Sequence, residues 1–340
     1  MRTGIVVGAT CLLLGLILVL GAGDDAGPNA AVVIGVMTGA IYGLVAVGLV
    51  LVYKGSRVFN FAQGEFGTIA AFIVFILLEQ VTAINIPYWV AVPIGLLGAV
   101  LMGLLMERVV VRPLMNSPRI TLLVATISFA LFTVGMEIIL FLPEAKVLRP
   151  MIAATDAQGN PNGPEIFHYF VEPQNLIALG VLIVLAIVLG YFFSKTDLGL
   201  AVLATSQDAF ATRVVGIGVE RMSRFIWGTA AFLGGVAGII YIPISGTLTP
   251  GAMTTGILIP AFAAAVLGGM TSLPGAFLGG IVIGCVQSLS NWAGFNYSLT
   301  VGGIVKPLSS IIPGLPDVAI ILVLLLILLA RPQGLLGSEA

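Results

Sequence analysis

The chain has 340 residues, of which 59% are hydrophobic and only 9% charged, with a formal net charge of −1 and a pI near 5.8. A soluble domain carries about 25% charged residues, so this composition excludes a soluble fold, and the near-neutral balance gives no sign of a nucleic-acid partner. Apolar runs longer than the ~18 residues that mark a membrane span, without the ~10-residue alternation of a membrane barrel, predict an all-α polytopic membrane protein.

The first run covers residues 4–21 and follows Arg2. It exceeds the ~7–15 apolar residues of a secretory signal and reads as a signal-anchor helix within residues 1–21. Further spans are expected at 30–53, 61–79, 88–107, 120–142, 174–193, 224–243, 255–270, 275–291 and 316–330, making about ten in one transmembrane domain over residues 1–340.

Lysine and arginine set the orientation. With the N-terminus inside, Arg2, Lys54, Arg57, Arg108, Arg112, Arg119, Lys195, Arg213, Arg221, Arg224 and Arg331 are cytoplasmic. Only Lys146, Arg149 and Lys306 lie outside, so both termini are expected in the cytoplasm. Residues 143–173 then form an extracytoplasmic loop rich in Gly, Pro and Asn. Residues 194–223 form a cytoplasmic segment, and residues 292–315 are external, with Pro307, Pro313 and Gly314 limiting regular helix.

Glycine accounts for 43 residues and often recurs at four-residue spacing: Gly35, Gly39 and Gly43; Gly234 and Gly238; Gly275 and Gly279; Gly280 and Gly284. One helical turn apart, these share faces that let helices approach closely. The bland reading is tight packing, and the sharper one is sliding faces. Spans 2–5 and 7–10 are offset by an odd number of spans, so they point oppositely across the membrane. That is the arithmetic of an inverted repeat, which transporters use to place a path at the repeat interface.

The stretch GSRVFNFAQGEFG, residues 55–67, puts Asn60, Gln63 and Glu65 beside two spans. It reads as a cytoplasmic turn that re-enters as a polar helix break. These three residues, with Gln287, are the candidate lining of a translocation path. Glu65 either faces protein or water within the membrane or complements a half-helix N-terminus. Gln287, Ser288 and Asn291 cluster at the outer end of span 9, whereas Glu137, late in span 5, reads as a solvated group near the outer interface.

Residues 200–215, LAVLATSQDAFATRVV, form good helix material, and Gly216 supplies a stop. The segment is too polar to span and too apolar to float free, which fits a surface helix or a helix docked in a partner's groove. No Walker A pattern, nucleophile elbow or zinc-protease motif occurs, so no catalytic residue is expected. His168 reads as a solvated loop residue. Cys11 and Cys285 sit in apolar runs as small core residues, so neither a metal site nor a cofactor is expected.

ATSQDAFATRVVGIGV resembles the cytoplasmic coupling segment of permeases in the branched-chain amino-acid ABC importer family. AIYGLVAVGLVLVY with RVFNFAQGEF, and AAVLGGMTSLPGAFLGG, resemble the same family, over residues 36–75 and 198–290 together. Many members carry histidine where Gln63 stands. Glutamine does not titrate, so a proton-linked role is not open to that position, although hydrogen bonding is.

The resemblance implies one membrane subunit of an ABC importer in the cell membrane. Its partners would be a second homologous permease, two cytoplasmic ATPase subunits and an extracytoplasmic solute-binding protein. Ser206, Asp208, Ala209, Arg213, Gly216 and Ile217 would be the ATPase-coupling residues. The implied cargo is branched-chain or related apolar amino acids, taken up by ATP-driven alternating access. Urea or short amides remain an alternative cargo. An autonomous channel, an ion-coupled secondary carrier and a structural membrane scaffold remain alternatives of other classes.

Overall fold

The computed structural model describes residues 26–81, 86–115, 117–156, 162–166, 169–207, 212, 214, 216–301, 304–331 and 333–336. The expected first helix at 4–21 lies outside them, as do His168 and Cys11.

Helix α1, Ala26–Ser56, runs 31 residues, or about 46 Å at 1.5 Å per residue. It is apolar all round, and residues 39–52 are buried on every side. A helix without a polar face belongs at the centre of a bundle. Around it stand α2 (Gln63–Phe75), α3 (Tyr88–Met106), α4 (Arg119–Phe141), α5 (Pro173–Lys195), α6 (Asp197–Gln207) and α7 (Val219–Ser245). The chain continues through α8 (Ala252–Gly256), α9 (Leu258–Gly268), α10 (Leu273–Asn296), α11 (Leu308–Ile311) and α12 (Leu315–Ala330). Helices α2 and α3 each end in a wider turn, with Val81 N–H bonded to Ile76 O and Arg112 N–H to Glu107 O. Two antiparallel hairpins lie between spans: β1 (Glu165–Ile166) with β2 (Tyr169–Phe170), and β3 (Ser298–Val301) with β4 (Ile304–Pro307).

Among the described residues, seven helices are long and apolar enough to cross a membrane, and Leu258–Gly268 and Leu315–Leu329 are shorter apolar helices. The span expected at 255–270 is therefore not continuous. A break at Ile257 divides it into α8 and α9, and the 11 residues of α9 reach only about 16 Å. The outer segment at 292–315 also differs, because α10 runs on to Asn296 before the β3–β4 hairpin.

Glycine spacing sets the central packing. A Cβ added at Gly39 would stand 2.7 Å from Gly280 O, one at Gly280 2.4 Å from Gly43 Cα, and one at Gly284 2.4 Å from Gly39 Cα. Helices α1 and α10 thus touch backbone to backbone, where dispersion and close approach replace the missing hydrophobic drive. Gly67 and Gly238 do the same for α2 and α7: a Cβ at Gly238 would meet Gly67 O at 2.3 Å.

Three helix contacts recur between the two sets of spans. Helix α2 packs on α3 as α9 packs on α10; α1 lies against α10 as α7 lies against α3; and α2 meets α7 as α9 meets α1. Each repeat's first helix ends in a left-handed residue, Arg57 at φ 55 and Gly246 at φ 75. Each end is followed by an irregular stretch before the next helix, residues 57–62 and 246–251.

Candidate translocation site

The first break begins where Arg57 N–H closes α1 on Tyr53 O at 2.7 Å. Irregular backbone inside an apolar bundle must find internal partners, and α4 supplies one. Thr126 Oγ1 donates to Phe59 O at 3.2 Å and accepts from Phe61 N–H at 3.4 Å. Asn60 then turns the chain into α2: its Oδ1 accepts from Ala62 N–H at 3.0 Å, and its Nδ2 donates to Gln63 Oε1 at 3.0 Å. Gln63 Nε2 in turn donates to Ala230 O of α7 at 2.8 Å.

Two glycines make the slot for that amide. A Cβ on Gly48 would lie 2.3 Å from Gln63 Nε2, and one on Gly234 would lie 3.1 Å away. Asn60 and Gln63 are buried, and both ends of the Gln63 amide are bonded. Their geometry is that of a clasp between the break and α7.

The second break is built differently. Gly246 caps α7, and Leu248 forms a two-bond bridge with Lys146, at 3.0 and 2.7 Å. Gly251 at φ 71 starts α8, and its N–H donates to Glu137 Oε2 at 2.9 Å. Met253 N–H donates to Thr68 Oγ1 of α2 at 3.3 Å.

The helices that follow the two breaks meet, α2 on α8, and α9 packs on the first break. A Cβ on Gly64 would lie 2.4 Å from Thr254 Oγ1 and 2.7 Å from its backbone nitrogen. Phe262 of α9 packs on Phe59 and Phe61, with ring centroids 5.2 and 6.2 Å apart.

Glu137 is a correction to the sequence reading. It is 1% exposed and lies beside Glu65, which is 0% exposed. The cause is the face of α4. Leu122, Thr126, Ala130, Thr133 and Glu137 recur every three or four residues as its buried stripe, while Ile120, Leu131, Phe132 and Ile139 are exposed on the other sides. The stripe faces both breaks, with Thr126 on the first and Glu137 on the second. Its polar spacing within an otherwise apolar span was the signal available in the sequence.

Gln287 does not join this group. Its Oε1 accepts from the Tyr42 hydroxyl, linking α10 to α1, with Tyr241 and Asp317 near that hydroxyl. Ser288 is half-buried and Asn291 exposed. Of the candidate coupling residues, Ser206 lies near the end of α6, Gly216 takes φ 89, and Ile217 N–H bonds Thr212 O at 3.1 Å. Asp208, Ala209 and Arg213 lie outside the described residues. Just beyond this segment, Arg112 bridges Glu107 at 3.0 Å and Glu220, in the first turn of α7, at 3.2 Å. Among the described residues no cluster of three His, Cys, Asp or Glu side chains is placed to hold a metal.

A separate cavity of about 500 Å³ between α3, α5 and α7 is lined by Val92, Leu96, Val181, Val184, Phe232 and Val236, among other apolar residues. It presents no charged or amide side chain to a zwitterion.

Interrupted helices meeting at a repeat interface belong to transporters, and comparison with known proteins identifies which kind. Residues 31–330 match the family model described as branched-chain amino acid transport system / permease component. The chain belongs to this family. It is 27% identical over 311 residues to the high-affinity branched-chain amino acid transport system permease protein LivH of Salmonella typhimurium, covering 89% of this chain and 93% of that one. It is 27% identical to BraD of Pseudomonas aeruginosa, a permease protein of the same description, with 89% and 94% covered. A probable LivH of Methanocaldococcus jannaschii is 28% identical over 250 residues, 72% of this chain and 76% of that one. Among solved structures, PsaBC from Streptococcus pneumoniae aligns over 88% of this chain and 90% of its own, at 11% identity and a TM-score of 0.43. This permease is thus a multi-pass membrane subunit of an ABC transport system and not an enzyme.

Proposed function

We propose that this permease carries branched-chain or related apolar amino acids into the cell by ATP-driven alternating access. The observation that carries the reading is the contact of the helices that follow two interrupted, buried, polar stretches, within a family of branched-chain amino acid permeases. Its partners are a second homologous permease, two cytoplasmic ATPase subunits and an extracytoplasmic binding protein. Both termini lie in the cytoplasm, as the lysine and arginine distribution supports.

The coupling segment carries Ser206, Asp208, Ala209, Arg213, Gly216 and Ile217 into the ATPase groove. ATP binding closes the ATPase dimer and shifts this segment. The shift reaches α7 through Glu220 and α3 through Arg112, because the ion pairs join both to the residues that follow the segment. Helix α7 holds the first break through the Ala230 carbonyl, so its displacement moves the two breaks relative to each other. Asn60 and Gln63 hold the first break in shape, since their polar atoms are already engaged, and Glu65 is the path residue with capacity to spare.

The test is uptake into vesicles holding the permease pair, ATPase and binding protein. Leucine should accumulate only when ATP and the binding protein are both supplied. Leucine flux through the permease alone would place the protein among channels or secondary carriers. Replacing residues 208–213 by alanine and glycine should abolish co-purification with the ATPase and leave the bundle folded. Normal co-purification would remove the coupling assignment.

A further inference from the structure

Packing accounts for Asn60 and Gln63, and it does not account for Glu65. This side chain is wholly buried in the first turn of α2. Among the described residues, neither of its carboxylate oxygens has a hydrogen-bond partner of normal geometry. The hydroxyls of Thr68 and Thr254 and the carboxyl of Glu137 stand beside it. Glu137 gives Oε2 to Gly251 N–H, while its Oε1 and the Thr254 hydroxyl also lack a partner. Gly251 sits between the two acids, since a Cβ built on it would be 4.0 Å from Glu65 Oε1.

Among the described residues, ion pairs join Arg112 to Glu107 and Glu220, and Arg149 to Glu79, and none reaches this place. Ionisable groups within a membrane bundle are costly unless paired, and they mark sites of function. Here the carboxyl oxygens of two buried acids gather beside the Thr68 and Thr254 hydroxyls, with no cation paired to them among the described residues. The group that answers them brings several N–H donors and one positive charge. An ammonium has three donors and the charge in a compact head, and its hydrogen bonds to carboxylate are of the strong, charge-assisted kind. Calcium would ask for six to eight oxygen ligands, more than the two acids and the Thr254 hydroxyl provide.

We propose that Glu65 and Glu137 together accept the α-ammonium of the transported amino acid where the first turn of α2 meets α4 and the start of α8. This rests on the uptake reading above and names the atoms that would recognise the cargo. Access comes from α4. It holds the breaks through the stripe containing Thr126 and Glu137, and its other faces are exposed. A shift of α4 separates Glu137 from Glu65 and opens the pair.

The test uses the complete importer in vesicles. Glu65→Gln and Glu137→Gln keep shape and hydrogen bonding but remove the charge. Each should lower leucine uptake by at least about tenfold, the scale of one lost charge-assisted contact, while the assembly still co-purifies with its ATPase. Wild-type uptake in both variants would overturn the assignment, because a packing role tolerates glutamine. A second measurement needs no variant: a membrane-permeant carbodiimide is applied to the wild-type importer during ATP turnover, and Glu65 and Glu137 are followed by mass spectrometry. The pair should be labelled without leucine and protected several-fold when leucine-loaded binding protein is present. Labelling that leucine does not change, or a pair that is never labelled during turnover, would also overturn the assignment. If the wild-type importer takes up no leucine, the uptake reading fails. If it does and the glutamine variants match it, the carboxyl pair alone fails.

Discussion

The two helix breaks occupy matching places in the two repeats and are held by different means. The first, residues 57–62, is held by side chains: Asn60 to Gln63, Gln63 to Ala230 O, and Thr126 to the backbone of Phe59 and Phe61. The second, residues 246–251, rests on backbone geometry and one buried carboxylate, with glycines at φ 75 and 71, a two-bond bridge to Lys146 and Gly251 N–H bonded to Glu137 Oε2. A break fastened by buried amides is rigid, because releasing one amide leaves its partner unsatisfied. A break made of glycines has more conformations open to it. The amides therefore fix the first break more tightly than the glycines fix the second.

The difference can be broken at either end. Gln63→Leu has the largest expected effect. It removes the Ala230 bond and strands Asn60 Nδ2, costing about 2–4 kcal/mol as two buried partners are lost, read as chemical unfolding in micelles. Gly48→Ala reaches the same amide from α1. A methyl group 2.3 Å from Nε2 pushes the flexible end of Gln63 off Ala230 and should cost about 1–3 kcal/mol. Gly251→Val forces a β-branched residue into left-handed backbone and brings its Cβ within 3.2 Å of Val134 Cγ2. Destabilisation of about 2 kcal/mol is expected, with slower uptake. Gly246→Ala meets nothing within 4 Å, so it should cost only the backbone term of about 1 kcal/mol. Arg57 carries the same left-handed conformation without being glycine, so Arg57→Gly should leave stability unchanged or raise it by up to about 1 kcal/mol. A loss larger than that would show that the Arg57 side chain itself anchors the first break.

Much of this was legible in the sequence, for reasons that differ by element. The expected spans at 30–53, 88–107, 120–142, 174–193 and 224–243 all fall within helices to within a residue, because a long continuous apolar run in a membrane chain folds as helix. Gly35, Gly39 and Gly43 against Gly280 and Gly284 were legible because four-residue spacing puts small residues on one face. The split of the 255–270 run was hidden, since apolar residues continue across Gly256 and Ile257 while the backbone does not. Glu137 was misplaced because its depth was judged from its position along the span, whereas its burial comes from the face it shares with Thr126 and Thr133. The bond from Tyr42 to Gln287 joins residues far apart in the chain, and no local pattern announces it.

The claim on which the rest depends is that the two breaks move against each other during transport. Phe61 of the first break stacks on Phe262 of α9, the longer of the two helices that follow the second break. In the reconstituted importer, cysteines placed at both positions and joined by a short, reducible bifunctional thiol reagent would fasten the first break to a helix that follows the second. ATP-driven leucine uptake should stop on joining and return on reduction, with each single-cysteine protein unaffected by the reagent. Uptake that continues at the unjoined rate with the bridge in place would contradict the movement of the breaks.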